Sequence, residues 1–366
     1  MRYVRRLSVF CILLFAVCMS NPPIAAYAAN VPRDFSEGLR RVNTESQRYL
    51  VQVFSIPNPE NPKGMAGGSG ALIRSGGGVV RIITNAHVVG QAQKVMVHFE
   101  GNGFAQEVAV LGIDTAVDLA LLEAPLPLPF FAQPIAIAKK AVNVGDAVYT
   151  AGYPFGNKNF TFGAITSLSS PFAQTGLDMF NSHQSPVAPG NSGGALIRFT
   201  DTGEQELVGI NTAIISQSGG QVYLSIRASV IDRMLVKLEQ ERSVSHPFMG
   251  IALADSDKVN PYAIKSAGGV YPPAVHGITV IGVKKNSPAE RAGIREGDII
   301  RKFEALLDGQ WFELPVVKAE DLAQTVFFDL APDIKVRMQT NRGSQSIGRE
   351  FILEIQPSLN AALGEG

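Results

Sequence analysis

The stretch Pro189-Gly190-Asn191-Ser192-Gly193-Gly194 holds residue types that can do nucleophilic chemistry. Glycine, proline, asparagine and serine also build ordinary surface turns, so this stretch alone has two readings. In the reactive reading, Ser192 is a nucleophile on a tight turn, and glycine backbone lets a substrate carbonyl approach closely. That reading needs a base and an acid upstream. His87 lies in Thr84-Asn85-Ala86-His87-Val88-Val89, just after the apolar run Val79 to Ile83, where a side chain can face a cleft. Asp118 opens Asp118-Leu119-Ala120-Leu121-Leu122, and an acid abutting an apolar strand needs a buried partner such as a histidine N–H. Asp114 competes for this role, but its turn-like context reads as a solvated loop.

The chain order His87, Asp118, Ser192 is that of trypsin-like proteases and differs from the subtilisin and α/β-hydrolase orders. His87 would take the Ser192 proton, and Asp118 would hold the His87 tautomer and stabilise the imidazolium. The backbone N–H groups of Gly190 and Ser192 would face the developing oxyanion, where one donor is typically worth about a hundred- to a thousand-fold in turnover.

Short β-type runs separated by Gly and Asn surround these residues. The expected strands are Tyr49 to Ile56, Ala71 to Arg74, Val79 to Thr84, Lys94 to Phe99, Ala105 to Ile113 and Asp118 to Glu123. Pro57 to Ser69 reads as a loop, and Pro125 to Pro134 reads as a crossing segment. A second set follows at Ala147 to Ala151, Thr161 to Leu168, Ser192 to Phe199, Glu206 to Ile215 and Gln221 to Ile226. Two such clusters suggest two packed barrels. From Ala228 the period becomes helical, with Val230, Ile231, Met234, Leu235 and Leu238 on one face. A third unit of mixed strand and helix begins at Phe248, with helices expected at Pro288 to Ala292 and Ala319 to Phe327.

The N-terminus has the pattern of a secretory signal. Arg2, Arg5 and Arg6 precede the apolar run Val9 to Met19, which is too short to span a bilayer, and Ala26-Tyr27-Ala28 offers a small-x-small cleavage site. An uncleaved anchor is the alternative. Both cysteines, Cys11 and Cys18, fall in this segment, so a processed chain would have no disulfide, thiol nucleophile or cysteine metal site. Such a protein is expected in the periplasm or another extracytoplasmic compartment. Charged residues make up 17% of the chain, and the formal net charge is zero. Residues 1–28 carry three arginines and no acid, so the remainder is slightly acidic and has no electrostatic reason to bind nucleic acid. No cofactor or metal is expected, and no Walker-type phosphate loop is present.

Five motifs in order resemble the HtrA (Deg) serine proteases: Thr84 to Val89, Asp118 to Leu122, Gly152-Tyr153-Pro154-Phe155-Gly156, Gly190 to Gly194 and Gly209-Ile210-Asn211-Thr212-Ala213-Ile214. The resemblance runs from about residue 48 to residue 357. It implies a mainly β chain: a trypsin-like double β-barrel protease domain followed by an α+β PDZ domain. The implied division is a signal peptide at 1–28, an N-terminal segment at 29–47, the protease domain at 48–227, a linker helix at 228–246, the PDZ domain at 247–358 and a tail at 359–366. It further implies a hydrophobic S1 pocket lined by Val187 and a substrate-pairing strand at Ile210, Asn211 and Thr212. Ser185 and Pro186 put no acid on the pocket floor, so small or medium aliphatic P1 residues are expected. Phe248, Met249, Gly250 and Ile251 match the loop that holds a peptide C-terminus in the PDZ domain.

The implied function is ATP-independent cleavage of unfolded or misfolded proteins through an acyl-enzyme, as a homotrimer. A catalytically silent peptide sensor or chaperone on the same scaffold is the alternative. The chain departs from the family at Gln184-Ser185-Pro186-Val187-Ala188, where an acidic-alanine run is usual, and Pro186 and Pro189 stiffen the loop. Gly309 to Val317, with the lone Trp311, reads as an insertion.

Overall fold

A computed structural model describes residues 32, 34–57, 66–100, 105–125, 132–168, 177–217, 220–259 and 277–357. The expected signal segment, most of the Pro57 to Ser69 loop, most of the proline-rich crossing and the tail lie outside the described residues.

Helix α1, Phe35–Ser46, starts where the Asp34 carboxylate accepts the Glu37 N–H at 2.8 Å. Six strands follow: β1 Leu50–Ile56, β2 Ala66–Gly76, β3 Val79–Thr84, β4 Lys94–Phe99, β5 Gln106–Asp114 and β6 Leu119–Pro125. They close in the order β1-β2-β3-β6-β5-β4, with one helical turn, α2 (Ala86–Val89), inserted after β3. β2 is longer than expected, because it keeps its pairing with β1 back to Ala66↔Ser55. Glycines at 67, 68 and 70 hide that part of the strand from propensity.

The second barrel uses β8 Ala147–Gly152, β9 Asn159–Ser167, β10 Phe180–His183, β11 Ala195–Phe199, β12 Gln205–Gln217 and β13 Gly220–Arg227. A short strand β7, Ala136–Ile137, lies parallel to β12 outside the ring. The order β11-β8-β9-β10-β13-β12 closes through β11–β12. β10 was not expected from the sequence. Its Phe-Asn-Ser-His run lacks a β pattern, yet it pairs on both sides.

Helix α3, Ala228–Gln240, buries Val230, Ile231, Met234, Leu235 and Leu238 as its period requires. The chain then forms β14 Pro247–Phe248, β15 Ile251–Asp255, β16 Ile278–Val283, the turn α4 Pro288–Arg291, β17 Ile299–Leu307, β18 Gln310–Leu314, α5 Ala319–Asp329, β19 Lys335–Arg342, β20 Gln345–Ile352 and β21 Glu354–Ile355. β15-β16-β17-β19-β20 make one sheet, with β18 paired to β17. Trp311 therefore sits on a hairpin strand, covered by the Arg337 guanidinium 4.0 Å from its ring.

Leu50, Ile82, Leu121, Phe180, Ile210 and α3 share one continuous core, while Phe303, Leu322, Val336 and Met338 form a separate core in the C-terminal sheet. Phe327 and Phe328 at the end of α5 belong to the first core, not the second. One reading is overturned here. Asp114 is not a solvated loop residue; it is fully buried at the end of β5, where Ala116 N–H, Val117 N–H and His246 all reach its carboxylate.

Candidate active site

His87 lies in α2, immediately after β3 delivers Thr84 and Asn85. Its Nδ1 is 2.8 Å from Asp118 Oδ2 and 3.0 Å from Oδ1, and its backbone N–H donates to Oδ1 at 3.0 Å. The ring is about a third exposed and the carboxylate almost fully buried. An ionised carboxylate only accepts, so Nδ1 carries the proton and Nε2 turns away from Asp118. Asp118 adopts φ 65°, a left-handed conformation that a non-glycine residue keeps only when its surroundings hold it. Asn85 Nδ2 holds its carbonyl at 2.9 Å, and the Thr212 hydroxyl donates to Oδ2.

Ser192 arrives from the second barrel between β10 and β11. Its carbonyl accepts the Ser69 N–H of β2 at 2.8 Å. A Cβ on neighbouring Gly68 would lie 2.7 Å from the Val88 side chain and 3.0 Å from the Ser192 carbonyl. Gly68 is thus the spacer across which the His87 turn and the Ser192 turn close on each other. Gly193, at φ 80°, has room for no side chain: its Cβ would meet the Ser69 carbonyl at 2.1 Å and Thr84 Oγ1 at 2.3 Å.

Ser69 ties this together, and nothing in its local sequence marks it. Its hydroxyl donates to the Gly190 carbonyl at 2.7 Å and accepts the Tyr153 N–H at 2.8 Å, while its carbonyl accepts the Thr84 hydroxyl at 2.7 Å. Phe155 N–H donates to the Pro189 carbonyl at 3.2 Å. In a trans peptide this points the Gly190 N–H the opposite way. Gly190 itself needs φ 100° and lies against the backbone of Tyr153 to Phe155, so the Gly152 to Gly156 motif is the bed of the serine loop. Among the described residues the backbone N–H groups of Gly190 and Ser192 have no intramolecular partner.

The expected substrate strand needs adjusting. Ile210 is paired on both sides, to Ala195 and to Ile226, and is fully buried. The Asn211 N–H and carbonyl are taken by Gly194 and Gly193. Thr212 sits at a bulge and is committed to Asp118. β11 has no partner in β12 beyond Ile210, so the edge of β12 that β11 leaves open begins past Asn211.

Val187 is half-buried, beside exposed Pro186 and fully buried Ser185. Behind that loop runs a polar row, with Asn181 opposite Ser225 and Ser225 opposite Asn211, all buried. Directly opposed residues share a face of the sheet. His183 joins the same face of β10, stacked on Tyr223 at 6.1 Å. Neither of its ring nitrogens has a hydrogen bond of ordinary geometry. Burial pushes its pKa down to about 4, against weaker opposing interactions with the Ser185 backbone and the Asn211 side chain. It is therefore a neutral ring at pH 7. Burial likewise raises the Tyr153 phenol, with the nearby Glu100 charge adding to it.

In the C-terminal unit, Met249, Gly250 and Ile251 are buried, Phe248 is half-buried, and Gly250 adopts φ 80°. The Met249 and Gly250 carbonyls accept from Ala289 and Lys284, whereas their own N–H groups have no intramolecular partner among the described residues. Asp255 Oδ1 caps α5 at Ala319 N–H, 2.8 Å away. Burial opposes that charge, but the Ala319 N–H and Lys258 together hold the carboxyl below its usual range. Among the described residues no cluster of metal-ligating side chains occurs.

Residues 68–210 match the trypsin-like peptidase domain. The putative serine protease HhoA of Synechocystis sp. is 34% identical over 256 residues, covering 67% of this chain and 62% of that protein. A probable periplasmic serine endoprotease, DegP-like, of Rickettsia conorii is 27% identical over 320 residues, covering 84% of this chain and 57% of that protein. The solved structure of the HtrA-type protease AlgW with a tripeptide superposes with a TM-score of 0.59 at 23% identity, over 93% of this chain and 99% of that one. The chain spans roughly three fifths of the length of these two sequence relatives.

Proposed function

Because the chain carries a trypsin-like peptidase domain and is a homologue of the HtrA/DegP serine proteases, we infer that it is a serine endopeptidase with Ser192 as nucleophile. The observation that carries this reading is the Asp118–His87 pair together with a serine loop in which, among the described residues, the Gly190 and Ser192 N–H groups have no intramolecular partner. Ser192 Oγ adds to the scissile carbonyl while His87 Nε2 takes its proton. Asp118 steadies the imidazolium through Nδ1, and the Gly190 and Ser192 N–H groups receive the oxyanion. His87 then protonates the leaving amine, and water hydrolyses the acyl-Ser192 ester by the reverse proton route. The outward Gly190 N–H supports a loop that rests in a reactive shape.

Substrates are unfolded or misfolded polypeptides, laid along β12 from Ala213, with a small or medium aliphatic P1 residue against Val187. The unit from 247 to 358 acts as a PDZ domain. It takes a peptide C-terminus on the Met249 and Gly250 N–H groups, between β15 and α5. The names of the relatives support an extracytoplasmic site of action, and the family resemblance supports a homotrimer. The test is casein digestion by the purified chain, with and without hydrophobic C-terminal peptides. Activity should vanish in Ser192→Ala and after treatment with a serine-directed covalent inhibitor. No activity under any of these conditions would leave the silent peptide sensor as the better reading. Lys or Arg at P1 of the cut sites would contradict the assignment of Val187.

A further inference from the structure

Asp114 and His246 form a pair that no step above uses. Both side chains are without solvent exposure, and His246 Nε2 lies 2.6 Å from Asp114 Oδ2. Phe327 stacks on the ring at 4.1 Å and 6°, and Phe328 meets it edge-on. The second ring nitrogen, Nδ1, is 2.9 Å from the Phe327 carbonyl. A carbonyl only accepts, so Nδ1 carries one proton, and a second is held between Nε2 and the carboxylate. Removing two such groups from water is costly unless each satisfies the other.

The pair stands between two structures. On one side, Asp114 Oδ1 accepts the N–H groups of Ala116 and Val117, each at 3.0 Å, and so folds the turn that ends in Asp118 with its left-handed backbone. On the other side is the end of α5, whose Phe327 and Phe328 leave their own sheet's core for the core of the barrels. The segment carrying His246 is itself laid along β5: Ile113 N–H donates to the Arg242 carbonyl, and Val244 N–H donates to the Ile113 carbonyl. Lys237 Nζ holds the Phe328 carbonyl at 2.7 Å, and the Arg233 guanidinium covers the Phe328 ring.

We propose that Asp114 and His246 are positioning residues for the Asp118 carboxylate: they hold the 114–117 turn in register with His87 and fasten that turn to the Phe327 end of α5, so that the seating of this helix is transmitted to the catalytic acid. The proposal rests on the reading of His87, Asp118 and Ser192 as a triad.

The test uses the full chain, with active sites titrated by a fluorophosphonate and kinetics on a fluorogenic peptide. His246→Phe keeps the stacking on Phe327 but loses both hydrogen bonds. It should lower kcat per titrated site by about tenfold, leave KM within about twofold, and shift the acid limb of the kcat/KM profile to lower pH, because a displaced Asp118 supports the His87 imidazolium less. Asp114→Ala removes the acceptor of Ala116, Val117 and His246 together and carries the same expectation, so it serves if His246→Phe does not fold. His246→Gln, which retains one donor, should recover part of the loss. A wild-type kcat and acid limb in these variants, even with a lowered melting temperature, would make the pair merely structural and overturn the proposal. Asp118→Asn is the control: a large loss there with none at 114 or 246 sinks this inference alone, whereas a wild-type rate in Asp118→Asn sinks the triad reading and this inference with it.

Discussion

The hydroxyl of Ser69 bridges the two halves of the active site: it donates to the Gly190 carbonyl at 2.7 Å while accepting the Tyr153 N–H at 2.8 Å. The loop that presents the Gly190 and Ser192 N–H groups is thereby fastened to a strand of the other barrel. Ser69→Ala removes both contacts without adding bulk. Two ordinary hydrogen bonds are worth about 1 kcal/mol each, so kcat should fall by about tenfold or more, with KM little changed. Steady-state kinetics normalised to titrated active sites check this, and an unchanged kcat would show that the loop holds its shape without Ser69.

Thr212 donates its hydroxyl to Asp118 Oδ2, the carboxylate oxygen that also lies 2.8 Å from His87 Nδ1. Thr212→Val keeps the shape and removes the donor. Hydrogen bonds to charged groups are worth about 1.5–3 kcal/mol, so kcat/KM should drop by roughly ten- to a hundred-fold. Thr212→Ser should recover most of that loss. A wild-type kcat/KM in Thr212→Val would show that the hydroxyl does not support Asp118.

Gly193 and Gly309 separate backbone strain from collision. Both have positive φ, 80° and 78°, but a Cβ at 193 meets the Ser69 carbonyl at 2.1 Å, and one at 309 meets nothing within 4 Å. Gly309→Ala should cost only the left-handed strain, about 1–2 kcal/mol. Gly193→Ala should cost at least about 3 kcal/mol and abolish activity, because both barrels would have to part. Denaturant titration of the two variants gives the comparison.

His183 sets a pH dependence of stability. Its folded pKa, about 4, lies below the unfolded value near 6.5. Between those values the unfolded chain binds more protons, so this residue makes stability rise with pH through the window and fall as pH drops from about 6.5 towards 4. Across the whole window the effect approaches about 3 kcal/mol. A His183→Asn variant should lose less stability than the wild type between pH 7 and pH 4.5. Parallel losses would show that the ring titrates normally.

The sequence carried the residues whose neighbours in the chain declare them. His87 follows an apolar strand, Asp118 opens one, and Ser192 stands among glycines, so their order and the two strand clusters were readable. The α3 face was readable for the same reason, since its five apolar residues recur at helical spacing. What was not readable depends on partners far along the chain. Asp114 looks solvated until His246, 132 residues away, closes over it. Ser69 sits in a glycine run that reads as loop until β1 pairs with it. The Thr212 hydroxyl on Asp118 was hidden because a β-bulge, which redirects the side chain, leaves no local pattern.

In the proposed mechanism Ser192 is a nucleophile activated by His87. The most direct measurement is labelling with a fluorophosphonate followed by mass spectrometry of the modified peptide. One phosphonylated residue, Ser192, is expected, with labelling abolished in His87→Ala and slowed by at least about a hundred-fold in Asp118→Asn. Labelling at another serine, or casein cleavage that persists in Ser192→Ala, would contradict this mechanism.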